Sequence, residues 1–242
     1  MMTRALAVAV TFLTLSACGP VASSPAPTAT VPTASAPATA GPTTRPVTAT
    51  AASATGPTVG TSQAVKLTLD PSASSATYHA REQLAGKPLP TEAVGTSKSV
   101  SGTLLVSADG NIQADQSQIT VDLTQLQSDE SRRDNWVKGN TIQTSRYPHA
   151  VFVPRQAQGL PSPLPTSGQA SFELSGDLTV HGVTKAVTWQ VTAQFTNQAV
   201  SGNATTSVKI TDFGMSPPTV GPVLGIEDGL TLELAFSAAR EA

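Results

Sequence analysis

The chain has 242 residues, with 14 Lys and Arg against 16 Asp and Glu and a formal net charge of −2. Only 12% of its residues are charged and 4% aromatic, and the basic residues do not cluster, which excludes the electrostatic footprint of a nucleic-acid binder. One cysteine, Cys18, and three histidines leave no internal disulfide and no thiolate metal cluster.

The first element is a processing signal. Arg4 gives a short positive region, and residues 5–15 form an apolar run of about eleven residues, too short to span a bilayer. It ends in Leu15-Ser16-Ala17-Cys18-Gly19, the pattern of a bacterial lipoprotein signal. Small residues before the cysteine let a peptidase grip an extended backbone, and the thiol takes up diacylglycerol. Residues 1–17 are therefore expected to be a signal peptide, and Cys18 the lipidated residue that ties the mature chain to a membrane. The expected location is periplasmic or otherwise extracytoplasmic.

Residues 18–62 follow, almost entirely Pro, Ala, Thr, Ser, Val and Gly, with Arg45 as their only charge. Such a segment cannot bury enough apolar surface to offset its ordering entropy. It reads as a disordered, polyproline-biased tether with a reach between roughly 35 Å as a coil and 130 Å fully extended.

Residues 63–242 are roughly 180 residues, enough for one domain with its own core. Strand patterns cover residues 64–70, stopping at Pro71, and 76–84, which meets Gly86-Lys87-Pro88-Leu89-Pro90. Residues 99–107 and 111–115 are joined by Ala108-Asp109-Gly110, a hairpin turn signal. In 118–123, Ile119, Val121 and Leu123 share a face. Period two is then lost over 126–139, which reads as a short helix. Ser128 would be its N-cap, Asp129 and Glu130 would suit its positive end, and Lys138-Gly139 would close it. Tyr147-Pro148 leads into a strand at 150–153, and a Pro-rich loop fills 160–166.

The clearest pattern is at 174–191. Leu174, Leu178 and Val180 alternate with polar residues before a turn, and Val187, Trp189 and Val191 alternate after it. Gly182 can supply the left-handed backbone of the turn. One apolar and one wet face indicate an antiparallel sheet. A strand at 199–210, a bend at 212–215, a loop at 221–225 and a closing strand at 229–238 complete the chain. The fold class is all-β: a closed antiparallel barrel of about eight strands, which leaves no edges, with one short helix.

Gly176-Asp177-Leu178-Thr179-Val180-His181-Gly182-Val183-Thr184-Lys185 closely resembles the signature hairpin of the YceI-like family. Val100 with Gly102-Thr103, Ser131-Arg132-Arg133-Asp134 with Trp136, Tyr147-Pro148, Phe152 and Asp212-Phe213-Gly214 are similar, in order, to further elements of that family. The chain departs from it in its first strand, and in 81–85 and 90–95, which read as an insertion. The resemblance implies a lipocalin-like barrel that holds an isoprenoid or similar amphiphilic lipid; no catalysis, cofactor or metal is expected, and a homodimer is left open. It also implies that Arg133 and Asp134 form an ion pair where the helix docks on the barrel.

The apolar face then supplies the ligand-binding candidates: Phe152, Leu178, Val180, Trp189, Val191, Phe195, Phe213 and Leu234. Trp189 leads, because its indole N–H can reach a polar head group at the mouth. The competing reading is a barrel filled by its own side chains, serving as a tethered protein-interaction module. His79, His149 and His181 lie in separate segments without metal-ligand spacing, and no serine sits in a Gly-x-Ser-x-Gly elbow. His181 is expected to cap the hairpin turn, His149 to lie on the surface and His79 on a strand.

Overall fold

A computed structural model describes residues 63–217 and 223–241. The expected signal peptide at 1–17, Cys18 and the tether at 18–62 lie outside the described residues.

Eleven strand segments occur in the order β1 (Val65–Leu69), β2 (Ser75–Leu84), β3 (Thr91–Ser97), β4 (Val100–Val106), β5 (Gln118–Asp122), β6 (Gln127–Ser128), β7 (His149–Gln158), β8 (Gly168–Val180), β9 (Val183–Phe195), β10 (Ala199–Lys209) and β11 (Val223–Glu241). One helix, α1 (Ser131–Trp136), lies between β6 and β7. The sheet runs β1-β4-β5-β7-β8-β9-β10-β11, and β11 pairs back onto β1. That ring is the closed, antiparallel, eight-stranded barrel expected from the alternation, and closure leaves no free edge.

The three remaining segments extend three of the eight walls. β2 pairs with β11, β3 with β2, and β6 with β3, so β1/β2, β3/β4 and β5/β6 are each one long strand with a break. Pro71 cannot donate to a ladder, and a 3₁₀ turn at Pro71–Ala73 replaces it there. The Asp70 carboxylate accepts from the Ser72 amide at 2.9 Å and its hydroxyl at 2.7 Å. At the β5/β6 break Asp122 does the same for Thr124, at 2.8 and 2.6 Å. The Ser97 hydroxyl, fully buried, donates to the Asp122 carbonyl at 2.7 Å and so ties the β3/β4 break to the β5/β6 break.

Four elements differ from the sequence reading. Residues 91–95 belong to a strand: β3 pairs with β2 from Ala76↔Ser97 to Glu82↔Thr91. Its inward positions carry Ala93 and Gly95, too small to show an apolar alternation, because the Tyr78 ring lies across Gly95. Residues 111–115 are not a strand. Val106↔Ile112 is a single bridge, a 3₁₀ turn follows at Ala114–Gln116, and the Leu105 amide donates to the Ser117 hydroxyl at 2.9 Å where a ladder bond would stand. The helix is shorter than 126–139. Its N-cap is Glu130, which accepts from the Arg132 amide at 3.1 Å, because Ser128 is held in β6 with its amide donating to Asp134 at 3.0 Å. A π turn, Val137–Thr141, continues it. Finally, β11 begins at Val223, with register shifts between Val223 and Gly225 and between Ile226 and Leu230, so part of the expected loop at 221–225 is strand and the rest lies outside the described residues.

β8 and β9 pair without interruption from Gly168↔Phe195 to Val180↔Val183. Their turn has two residues, His181 at φ 52° and Gly182 at φ 74°, the type I′ geometry whose twist matches the flanking strands. His181 therefore shares the left-handed conformation expected of Gly182. Its Nδ1 lies 3.3 Å from the Phe213 carbonyl oxygen, and Tyr147 packs edge-on against its ring at 4.6 Å.

Candidate functional site

Alternation along every strand turns one residue in two toward the barrel axis, and two cavities lie among the inward side chains of the described residues. The larger, about 200 Å³, lies toward the end that carries the β2–β3 connection, the His181-Gly182 turn and α1. The smaller, about 70 Å³, lies toward the opposite end, among Leu67, Val106, Phe172 and Phe195. Ile119, Leu174, Ala204 and Leu234, from four different strands, line both and form a waist between them.

Phe152, Leu178, Val180 and Trp189 line the larger cavity, Val191 and Phe195 the smaller, and Leu234 both. Phe213 lines neither. It is 2% exposed at the end of a 3₁₀ turn and belongs to the main apolar cluster of the core. Phe152 and Trp189 meet edge to face, with ring centroids 5.9 Å apart. Gly176 makes that geometry available: a Cβ there would stand 2.4 Å from the Val153 carbonyl oxygen and 2.8 Å from the Phe152 ring. Trp189 pairs with the waist residue Leu174, so it stands at mid-barrel and not at the mouth. Its indole Nε1 is buried and has no hydrogen-bond partner among the described residues.

Between β6 and β7 the wall is built by α1 and the π turn. Val137, Thr141 and Ile142 reach the larger cavity from there, together with Arg133. Leu123, Leu126 and Ile142 form a small apolar cluster with Tyr78 and Met215 packed against it. Arg133 is the centre of the polar end. Its Nη1 lies 3.6 Å from Oε1 of Glu82, a carboxylate only 5% exposed. Its Nη2 pairs with Asp129, and its Nε donates to the Ser128 hydroxyl at 3.4 Å. Asp134 is engaged by the Ser128 amide and hydroxyl instead, so the helix-docking pair is Arg133 with Glu82, not with Asp134. Tyr78 lines the cavity beside this cluster. Burial pushes its phenol up from the ordinary tyrosine range, partly countered by the Arg133 charge.

The histidines occupy three separate settings. His79 lies between Glu92 at 3.5 Å and Glu233 at 3.6 Å on the neighbouring strands, His149 is exposed, and His181 sits in the hairpin turn. Among the described residues no group of three His, Cys, Asp or Glu is placed to hold a metal ion.

The residues that sequence reasoning missed are mainly Tyr78 and those after the helix. Val137 and Ile142 carry no period-two signal because they begin and cap a π turn, and Tyr78 is obscured by the irregular alternation of its strand.

A family model described as the YceI-like domain matches residues 67–238. A UPF0312 protein of Pseudomonas putida (strain GB-1) is 32% identical over 124 residues, which are 46% of this chain and 61% of that protein. The chain thus spans less than two thirds of the length of that curated relative. A UPF0312 protein of Vibrio parahaemolyticus is 27% identical over 140 residues, 54% of this chain and 66% of its own length. Among solved structures, a polyisoprenoid binding domain from Saccharophagus degradans superposes with a TM-score of 0.55 at 14% identity, covering 72% of this chain and 98% of that one. Burkholderia cenocepacia BcnA superposes with a TM-score of 0.52 at 19% identity, covering 70% and 98%. The structural likeness extends to the barrel, and the signature hairpin, the Arg133 helix and the ordered elements between them lie inside the matched span: this chain belongs to the YceI-like family.

Proposed function

We propose that the barrel binds a long apolar lipid of the polyisoprenoid type, its tail lying along the axis in the two cavities. The observation that carries this reading is the pair of apolar cavities meeting at a shared waist. Enclosing a tail there releases about 25 cal/mol per Å² of apolar surface removed from water. The fold likeness to a domain described as polyisoprenoid binding supports it. The same cavities weigh against a barrel filled by its own side chains. In this reading Cys18 is acylated after export, and the Pro- and Thr-rich stretch holds the lipid-binding domain off the membrane surface; the protein acts as a binder and not as an enzyme.

The test is native mass spectrometry of the full chain purified from its own host, alongside Phe152→Asp and Trp189→Asp variants. A carboxylate in the cavity wall makes tail burial unfavourable. Bound lipid should be present in the parent and lost in both variants, with circular dichroism showing the barrel still folded. Undiminished lipid in both folded variants would overturn the pocket assignment. Palmitate incorporation abolished by Cys18→Ala would confirm the anchor; unchanged incorporation would refute it.

A further inference from the structure

The end of the barrel away from the His181-Gly182 turn carries the connection from β7 to β8, residues 159–167. Pro161, Ser162 and Pro163 are exposed there, but Leu164 is only 9% exposed and belongs to the main apolar cluster, with Leu160 packed against that cluster. Both leucines line the smaller cavity. Every other residue lining it comes from a strand. Leu160 and Leu164 are thus its floor, and the strands are its walls.

The loop is fastened from two sides. Arg240, near the end of β11, donates from Nη1 to the Pro165 carbonyl at 2.6 Å and from Nη2 to the Leu164 carbonyl at 3.4 Å. A planar guanidinium holds two successive carbonyls in one fixed geometry, which a point-like ammonium does not. On the other side the turn at Gly110 approaches so closely that a Cβ there would stand 2.9 Å from the Ser162 Cβ. Pro161, Pro163 and Pro165 each fix φ, so little conformational entropy is lost in holding the loop in place.

A tail that fills the larger cavity and passes the waist meets these two leucines. From Leu230 to Ala238, β11 lines first the larger cavity and then the smaller. That run is about 20 Å along the axis, at about 3.3 Å per residue and a strand tilt of about 40°. Each isoprene unit taken in adds buried apolar surface, until the tail reaches the floor.

Resting on the lipid-binding reading above, we propose that the 159–167 loop is an end-stop that sets the length of tail the barrel accepts. Leu160 and Leu164 are the stop, and Arg240 is the positioning residue that holds it. A tail of about 20 Å, roughly four isoprene units, fills the lumen. Further units stay outside in water and add nothing.

The experiment offers the solvent-delipidated full chain an equimolar mixture of farnesol, geranylgeraniol and solanesol, which share a head and differ in tail length. Native mass spectrometry reads the bound lipid. The parent should take geranylgeraniol over farnesol and show no preference for solanesol over geranylgeraniol. Leu160→Ala with Leu164→Ala lowers the floor, and Arg240→Met removes both bonds to the loop. In each, the ratio of solanesol to geranylgeraniol bound should rise by at least about tenfold, because several more units become buried. Arg240→Met leaves the apolar core side chains in place, so it keeps the test decisive should the double alanine variant lose its fold by circular dichroism. A merely structural role for Arg240 would weaken all three alcohols together and leave the ratio unmoved. A parent that prefers solanesol, or an unmoved ratio in either folded variant, would overturn the proposal. A parent that binds none of the three would overturn the lipid-binding reading itself.

Discussion

Replacing Arg133 with Met keeps an apolar stem against the cavity and removes the charge that faces Glu82. Glu82 is 5% exposed and has one further polar partner, the Thr91 hydroxyl at 3.4 Å. At the observed 3.6 Å, an effective dielectric near 20 gives a gross attraction of about 4–5 kcal/mol. Arg133 retains 19% of its side-chain exposure and shares its charge with the exposed Asp129, which reduces the net effect. Stranding a buried carboxylate should therefore cost about 2–4 kcal/mol. At about 2–4 °C per kcal/mol for a domain of this size, the melting temperature should fall by about 5–15 °C. Urea denaturation of the full chain, read by barrel circular dichroism, should show a lower midpoint at an unchanged slope. Adding Glu82→Gln to Arg133→Met should recover most of the loss, because the orphaned charge disappears with it. A single variant that loses less than about 1 kcal/mol, or a double variant no more stable than the single, would refute the ion-pair account.

Two further outcomes are expected. Gly176→Ala forces a Cβ into the Val153 carbonyl and the Phe152 ring, so it should cost about 1–3 kcal/mol as overpacking and shift Trp189 emission as Phe152 moves; an unchanged midpoint and spectrum would contradict the close approach. The Thr124 hydroxyl, and less strongly its amide, hold the Asp122 carboxyl below the ordinary aspartate value of 3.8. Because the folded pKa is the lower one, this contribution is complete above that value and disappears as the pH falls below it toward the folded pKa. Calorimetry should show the melting temperature dropping below about pH 4, with a shallower drop in Asp122→Asn; identical acid profiles for the two would contradict it.

The second half of the domain was readable in advance because its strands are long and one face is wet. Leu174, Leu178, Trp189 and Val191 mark the inner face with large residues at strict period two, and the His181-Gly182 turn fixes their register. The first half was harder because its walls break. Pro71, Lys98-Ser99 and Leu123 interrupt strands that are continuous in space, and sequence patterning sees each half as a separate short run. Gly95 was misread for a related reason: it is small so that Tyr78 can lie over it, and a position emptied for a neighbour carries no hydrophobic signal of its own. Of the eight ligand-binding candidates, seven line a cavity and Phe213 ends a 3₁₀ turn, buried in the core. Its burial was legible but its direction was not, because direction inside a bend follows no simple period.

β11 contacts more of the barrel than any other segment. Its nineteen residues pair with β10 along most of their length, with β2 in the first part and with β1 at the end. Lys66↔Glu241 brings together residues separated by nearly the whole domain. Loop closure on that scale must be met before its contacts return anything. The ring therefore cannot close until β11 pairs on both sides, with β10 on one side and with β1 and β2 on the other. An interior able to hold a guest is complete only once that seam has formed.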